Sequence, residues 1–278
     1  MAVQVRLHHQ TQYRYDRPVY LGPQIVRLKP AAHCRTPILA YELRVLPAGH
    51  HLHWQQDPQA NFVARLVFPE PTREFALDVT LTAEIAPINP FDFFLEPQAA
   101  HYPFQYDGET ARELCAYLGA EPAGPGLTSF LQEIPRASSG TMEFLVALNQ
   151  RVGSAIAYMR RMEPGVRSCE DTLALRQGSC RDSAWLFVQI ARNLGLAARF
   201  VSGYLIELET ATADLHAWVE IFLPGAGWVG FDPTSGLLAA EGHIPLACTP
   251  EASRAAPVSG QVTLSNVQFQ HQLSVTRY

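Results

Sequence analysis

The stretch Arg176-Gln177-Gly178-Ser179-Cys180-Arg181-Asp182-Ser183-Ala184-Trp185 carries the decisive pattern in this chain. From Ala184 onward, apolar residues fall at positions 184, 185, 187, 188, 190, 191 and 194, and Gly195 follows as a stop signal. Steps of three and four predict a helix buried on most of its surface. Gly178 breaks the chain in front of it and Ser179 stands where an N-cap belongs. Asp182 is then placed to reach back to the Ser179 amide in a capping-box arrangement. Cys180 therefore lies in the first helical turn, at the positive end of the helix dipole among unpaired N–H groups. A nucleophilic cysteine uses that placement. An inert buried thiol fits it as well, so the reading turns on whether the chain also supplies a base and a group to orient that base.

The chain has 278 residues, 47% of them hydrophobic, which is the composition of a globular protein of one large or two ordinary domains. A net charge of −5 and the lack of any Lys/Arg cluster argue against a nucleic-acid partner or an acidic membrane surface. The first twenty residues alternate polar and apolar, so neither a signal peptide nor a transmembrane helix is expected. Cys34, Cys115, Cys169, Cys180 and Cys248 are scattered, with no C-x-x-C pair; they suggest neither a disulfide framework nor a zinc site, and the expected compartment is the cytoplasm. No glycine-rich phosphate loop appears, and no nucleotide or other cofactor is expected.

From Val3 to about Ile85 the apolar pattern has period two, broken at Pro18, Pro30, Pro47-Gly49, Asp57-Pro58 and Pro69-Pro71. Short antiparallel strands of this kind predict a β-sandwich domain over residues 1–100. The run His50-His51-Leu52-His53 reads as a solvated strand start, not a metal site, because no carboxylate sits at ligand spacing. Residues 86–107, rich in proline and aromatics, read as a linker in which Phe91, Phe93 and Phe94 pin the segment to a domain face or line a groove. Helical patterns follow over Glu109–Leu118, Leu127–Ile134, Met142–Tyr158 and Glu170–Leu175. Helices leading into the cysteine helix and then into strands describe an α+β domain over residues 101–278. The alternating tail, Val262–Leu264 and Phe269–Val275, is expected to complete the sheet of that second domain.

The informative pair of strands is Leu215-His216-Ala217-Trp218-Val219-Glu220-Ile221-Phe222 and Trp228-Val229-Gly230-Phe231-Asp232-Pro233-Thr234. With the loop Leu223–Gly227 between them, Phe222 faces Trp228 and His216 lies diagonal to Asp232 on one face. The odd positions are apolar and the even ones carry His216, Glu220 and Asp232, the alternation of a half-buried sheet with a polar working face. A carboxylate on one ring nitrogen fixes the tautomer and leaves the other nitrogen for the cysteine proton. Glu220 is expected to be solvated or paired with Arg181.

These blocks, Gly178–Trp185, Asp214–Glu220 and Gly227–Thr234, resemble the three signature blocks of the transglutaminase-like superfamily, in the order Cys, His, Asp. Tyr13-Arg14-Tyr15 and Asp57-Pro58-Gln59-Ala60-Asn61 resemble the β-domain that precedes the core in bacterial members. The resemblance implies a papain-like (transglutaminase core) domain behind an antiparallel β-sandwich, with Cys180 as nucleophile, His216 as base and Asp232 as its orienter. It departs from the papain-type run where Arg181 stands in place of an aromatic. The implied reaction is acyl transfer through a thioester on a peptide or protein substrate, with water as the expected acceptor. A crosslinking transglutaminase and a non-catalytic binding module are the alternatives; no acidic cluster of the kind associated with calcium activation stands out. The Cys180 N–H is one natural oxyanion donor, Gln177 and Tyr158 are candidates for a second, and Trp218 and Trp228 are candidate substrate contacts that could equally cap the core. The segment 242–250 resembles a family loop close to the site.

Overall fold

The computed structural model describes residues 2–135 and 137–278. Six strands occupy the first part of the chain: β1 (Val3–Val19), β2 (Gln24–Val26), β3 (Ile38–Leu46), β4 (His51–Gln56), β5 (Phe62–Val67) and β6 (Thr72–Ile85). In β6 the period-two pattern becomes burial: Phe75, Leu77, Val79, Leu81, Ala83 and Ile85 are buried while the residues between them are half-buried. They pack with Val26, Ala64 and Leu66 from β2 and β5. The Phe, Leu, Val and Ile side chains among them each contribute about 1.5–3 kcal/mol on leaving water. Two antiparallel four-stranded sheets thus share one core, as the sandwich expectation requires.

The chain then runs through β7 (His101–Tyr102), α1 (Gly108–Glu113), α2 (Cys115–Leu118), α3 (Pro125–Gln132), β8 (Ser139–Gly140) and α4 (Thr141–Ala155). The helix expected to reach Tyr158 stops at Ala155, because Ile156 is extended (φ −122°, ψ 110°). Two short strands follow, β9 (Ala157–Tyr158) and, after α5 (Cys169–Leu175), β10 (Gln177–Gly178); they pair in parallel and set Tyr158 beside Gly178. Helix α6 (Cys180–Asn193) comes next, and Gly195 takes a φ of +79° just past its end, a conformation that favours glycine.

The remaining strands are β11 (Ala198–Glu207), β12 (Thr212–Leu223), β13 (Gly227–Asp232), β14 (Leu237–Leu238), β15 (His243–Thr249), β16 (Val258–Ser259) and β17 (Val267–Arg277). Strands β14-β13-β12-β11-β15 form an antiparallel five-stranded sheet, and α6 packs against it through a core containing Ala184, Phe187, Ala217, Val219, Ile221 and Phe231. The tail does not complete this sheet. Strand β17 instead pairs with β1, from Val5↔Arg277 to Tyr15↔Val267, and β16 pairs with β2. The long edge of β1 needs a partner, and Phe269 covers Tyr13 with ring centroids 5.1 Å apart. The β-unit therefore comprises the first strands and the returning end of the chain.

The Asp57–Asn61 loop joins the two units. Asp57 Oδ1 accepts from the backbone N–H groups of Gln59 and Asn61, which fixes the turn. Asn61 then clasps the Cys248 backbone on both sides, Oδ1 accepting from its N–H at 2.8 Å and Nδ2 donating to its carbonyl at 3.0 Å. This anchors β15, the edge strand that begins at His243.

Candidate active site

Cys180 is the first residue of α6, with Ser179 extended at the N-cap. Asp182 Oδ2 accepts from the Ser179 N–H at 2.9 Å, so the expected reach-back bond is present. The same carboxylate accepts from Arg161 Nε and Nη2 at 3.0 and 2.9 Å and from the Arg167 N–H at 2.8 Å. Burial alone would raise the Asp182 pKa; these donors hold it below the usual carboxylate range. Arg181 turns outward and donates to the Arg161 and Glu163 carbonyls. The start of α6 is thus held to the 159–167 loop, and Cys180 is 8% exposed at that corner.

The β12–β13 register is the one the loop length implied, with Phe222↔Trp228 and Val219↔Phe231. It brings His216 Nε2 to 3.0 Å from Asp232 Oδ2. Cys180 is among the groups that raise the pKa of the same imidazole; with Nε2 taken by the carboxylate, Nδ1 is the nitrogen left for a thiol. Burial by itself disfavours the imidazolium. The hydrogen bonds to Asp232 and Cys180, with the charges of both, outweigh it and lift the His216 pKa from 6.5 to about 10. Asp232 is 1% exposed, and burial would push its pKa up; the donors from His216 and His243 hold it far below the usual carboxylate range instead. Its remaining bonds are to the Thr234 N–H on Oδ1 at 2.9 Å and the Ser235 hydroxyl on Oδ2 at 3.1 Å.

The 242–250 segment lies beside the site, as its resemblance implied: His243 Nε2 is 3.4 Å from Asp232 Oδ2, a pairing across the sheet that no local pattern specifies.

On the even face of the hairpin Phe222, Trp228 and Gly230 are half-buried, as the alternation predicts, while Trp218, Glu220 and Asp232 are buried. Segments from the β-unit and the linker cover it and enclose a cavity of about 400 Å³ lined by Arg35, Phe93, Trp218, Glu220, Trp228 and His243, among others. Glu220 is neither solvated nor paired with Arg181. Arg199 donates to it through Nε at 2.7 Å and Nη2 at 2.6 Å, and this pairing overcomes burial to keep the Glu220 pKa low. Trp218 stacks near His216, with centroids 6.4 Å apart at 26°, and Trp228 lies under the Arg199 guanidinium at 4.2 Å. A larger cavity, about 550 Å³ around Phe104, Tyr106 and Leu194, is lined by no residue of the Cys180–His216–Asp232 set and has no bearing on its chemistry.

Tyr158 is 57% exposed, and its phenol pKa is raised by partial burial and then by the Cys180 charge, which places it in the electrostatic reach of the thiol. Gln177 is exposed on β10. In the linker, Phe93 packs on the core while Phe94 is 92% exposed. His51 and His53 are exposed on β4, as a solvated strand start predicts.

Among the described residues two trios of ligating side chains have their donor atoms within 4.8 Å of one another: His216, Asp232, His243 and His33, Glu220, Cys248. Neither suits a metal. The Ala240 N–H donates to His243 Nδ1 at 3.2 Å, so the neutral ring carries its proton on Nε2, the nitrogen that a metal would need bare. In the second trio the Arg199 guanidinium already donates to both Glu220 and His33, putting a cation where the ion would sit.

A thiol at a helix start, an imidazole and a carboxylate on an antiparallel hairpin, and a β-sandwich ahead of them define the transglutaminase-like class of fold. Residues 5–85 match the family described as the bacterial transglutaminase-like N-terminal region, and residues 128–233 match the transglutaminase-like superfamily. The chain belongs to the transglutaminase-like superfamily and carries its bacterial N-terminal region. An uncharacterized protein of Mycobacterium tuberculosis is 26% identical over 258 residues, covering 86% of this chain and 81% of that protein. A protein-glutamine gamma-glutamyltransferase of Pseudomonas aeruginosa is 31% identical over 121 residues, 40% of this chain and 18% of its own length. The crystal structure of a candidate cysteine protease from Cytophaga hutchinsonii has the same fold, with a TM-score of 0.75 at 21% identity, covering 100% of this chain and 91% of that one.

Proposed function

We propose that this protein is a cysteine-dependent acyl-transfer enzyme that opens peptide or amide bonds through a thioester on Cys180 and passes the acyl group to water. The observation that carries this reading is the His216 ring, held on Asp232 through Nε2 with Cys180 as its other partner. In the first half-reaction Cys180 Sγ attacks the amide carbonyl carbon, its proton having passed to His216 Nδ1. The tetrahedral oxyanion is met by the Cys180 N–H, which opens α6 and has no partner within the helix. Tyr158, paired with Gly178 just before the cysteine helix, and Gln177, paired with Ala157, remain the two candidates for a second donor. The imidazolium protonates the leaving nitrogen, the C–N bond breaks and the thioester remains. Water then loses a proton to His216 and attacks the thioester, releasing the acid and returning the thiol. Trp218 lies near-parallel to the imidazole, and Trp218 and Trp228 both line the neighbouring cavity.

Transfer to an amine uses the same thioester, and the glutamyltransferase relative named above favours it over the matched segment. A glutamine-containing peptide offered with a fluorescent primary amine separates the two acceptors. Ammonia or cleaved peptide without amine incorporation supports hydrolysis. Incorporation exceeding hydrolysis supports crosslinking, and neither product from wild-type protein counts against acyl transfer. The five cysteines are all free thiols, which supports a reducing compartment such as the cytoplasm. Among the described residues no helix is long and apolar enough to cross a membrane.

A further inference from the structure

We infer that His243 is a positioning residue for this reaction: it donates Nε2–H to the oxygen of Asp232 that orients His216, and so fixes the carboxylate that fixes the base. This rests on the reading of Cys180, His216 and Asp232 as the reacting set.

Three donors converge on Asp232 Oδ2: His216 Nε2 at 3.0 Å, Ser235 Oγ at 3.1 Å and His243 Nε2 at 3.4 Å. The His243 tautomer follows from the other side of its ring. Nδ1 accepts the Ala240 N–H, so it offers a lone pair, and the proton of the neutral ring sits on Nε2 facing the carboxylate. The Thr234 N–H on Oδ1 and the Ser235 hydroxyl on Oδ2 hold Asp232 from its own turn, and neither sets where the carboxylate lies relative to the other strands of the sheet. Donors arriving from β12 and from β15 reach the same oxygen from two further strands and set it between them.

The ring itself is held. It meets Trp218 edge-on, with centroids 5.1 Å apart at 84°, and His216 at 6.0 Å and 61°. Its strand is tied at one end by the Ile206 N–H to the Gly242 carbonyl at 2.9 Å, and towards the other by the Asn61 clasp on Cys248. His243 also lines the 400 Å³ cavity, of which Cys180 is not a lining residue.

Gln and Met have side chains of the same length, and only Gln offers a donor near the place of Nε2. The experiment measures iodoacetamide alkylation of Cys180 at pH 7 in wild type, His243→Gln and His243→Met, with urea unfolding run alongside. The expected result is an about tenfold slower Cys180 in the Met variant, the scale of losing one hydrogen bond to a charged group, with the Gln variant within about twofold of wild type. Equal rates in the two variants, whether both slow or both normal, would overturn the inference and leave the acyl-transfer reading intact. A wild-type Cys180 that labels no faster than exposed Cys115 would take down that reading and the inference together. A direct check uses the wild type alone: ring 15N shifts at pH 8 should show His243 protonated on Nε2 and bare on Nδ1. The reverse tautomer contradicts the proposal even if a variant fails to fold.

Discussion

Replacing Asp232 with Asn removes one charge and changes almost no volume, which makes it the sharpest probe of the buried pair. The rise of His216 from 6.5 to about 10 corresponds to about 5 kcal/mol of preference for the imidazolium, shared between Asp232 and Cys180 and won against burial. An amide cannot replace the carboxylate on hydrogen-bond grounds either. Asp232 accepts on Oδ1 from Thr234 and on Oδ2 from His216, Ser235 and His243, so whichever way the introduced amide turns, its NH2 meets a donor. Breaking a buried pair in this way costs about 3–5 kcal/mol. Urea unfolding of wild type and D232N at pH 6 and at pH 10 measures it. The gap should be about 3 kcal/mol or more at pH 6, where the wild-type imidazolium is fully formed, and narrower at pH 10, where the wild-type ring is losing its proton. Alkylation of Cys180 at pH 7 should slow by at least about a hundredfold. A gap below about 1 kcal/mol, or one that does not change with pH, would refute the reasoning that the ion pair is formed and buried.

Other outcomes follow from the same geometry. His216 titrates higher in the folded protein than in the unfolded chain, so its stabilisation is complete below pH 6.5 and is lost as pH rises towards about 10; wild-type stability should fall across that window by roughly 1 kcal/mol per pH unit, as read by urea unfolding. His9 has the opposite sign: burial, then the neighbouring His271 and His8, lower its pKa to about 4, so the unfolded chain takes up the proton first and stability should fall as pH drops from 6.5 to 4. His9→Phe should abolish that acid component while costing about 1–3 kcal/mol at pH 7, because the buried Tyr204 hydroxyl loses its 2.8 Å partner. Gly203→Ala should destabilise by about 1–3 kcal/mol and disturb the His216 ring signals in NMR spectra, since a Cβ there would sit 2.4 Å from both the Ile244 carbonyl and the Trp218 ring that stacks near His216.

Most of the site's geometry was legible because it is local or set by period. Helix α6 is announced by Gly178, Ser179 and Asp182 within a few residues, and the His216–Asp232 diagonal follows from a short hairpin and strand alternation. What was not legible depends on contacts distant in sequence. The tail alternates like any strand, and nothing in Phe269–Val275 says whether it will add to the core sheet or to β1. The even face of the hairpin is half-buried at Phe222, Trp228 and Gly230, as the pattern says, but the deeper burial of Trp218 and Glu220 comes with segments far earlier in the chain, at Arg35 and Phe93. Glu220 has arginines in several directions, and only the β11–β12 register, with Arg199 opposite Glu220, selects its partner. His243 belongs to the same class: it is an ordinary histidine until the edge strand is docked. Tyr158 lies next to Gly178 because α4 ends at Ala155 and the extended residues after it pair with β10, a pairing distant in sequence that the helical pattern does not show.

The account's central claim is an activated Cys180 paired with His216, and the measurement that tests it most directly is the pH dependence of iodoacetamide labelling at each of the five cysteines, located by mass spectrometry, in wild type and in His216→Ala. The account predicts labelling of Cys180 well below the pH at which an ordinary thiol reacts, about 8.5, and a loss or upward shift of that labelling in the variant. Labelling of Cys180 that is no faster than that of the other four, or that is indifferent to the loss of His216, would contradict it.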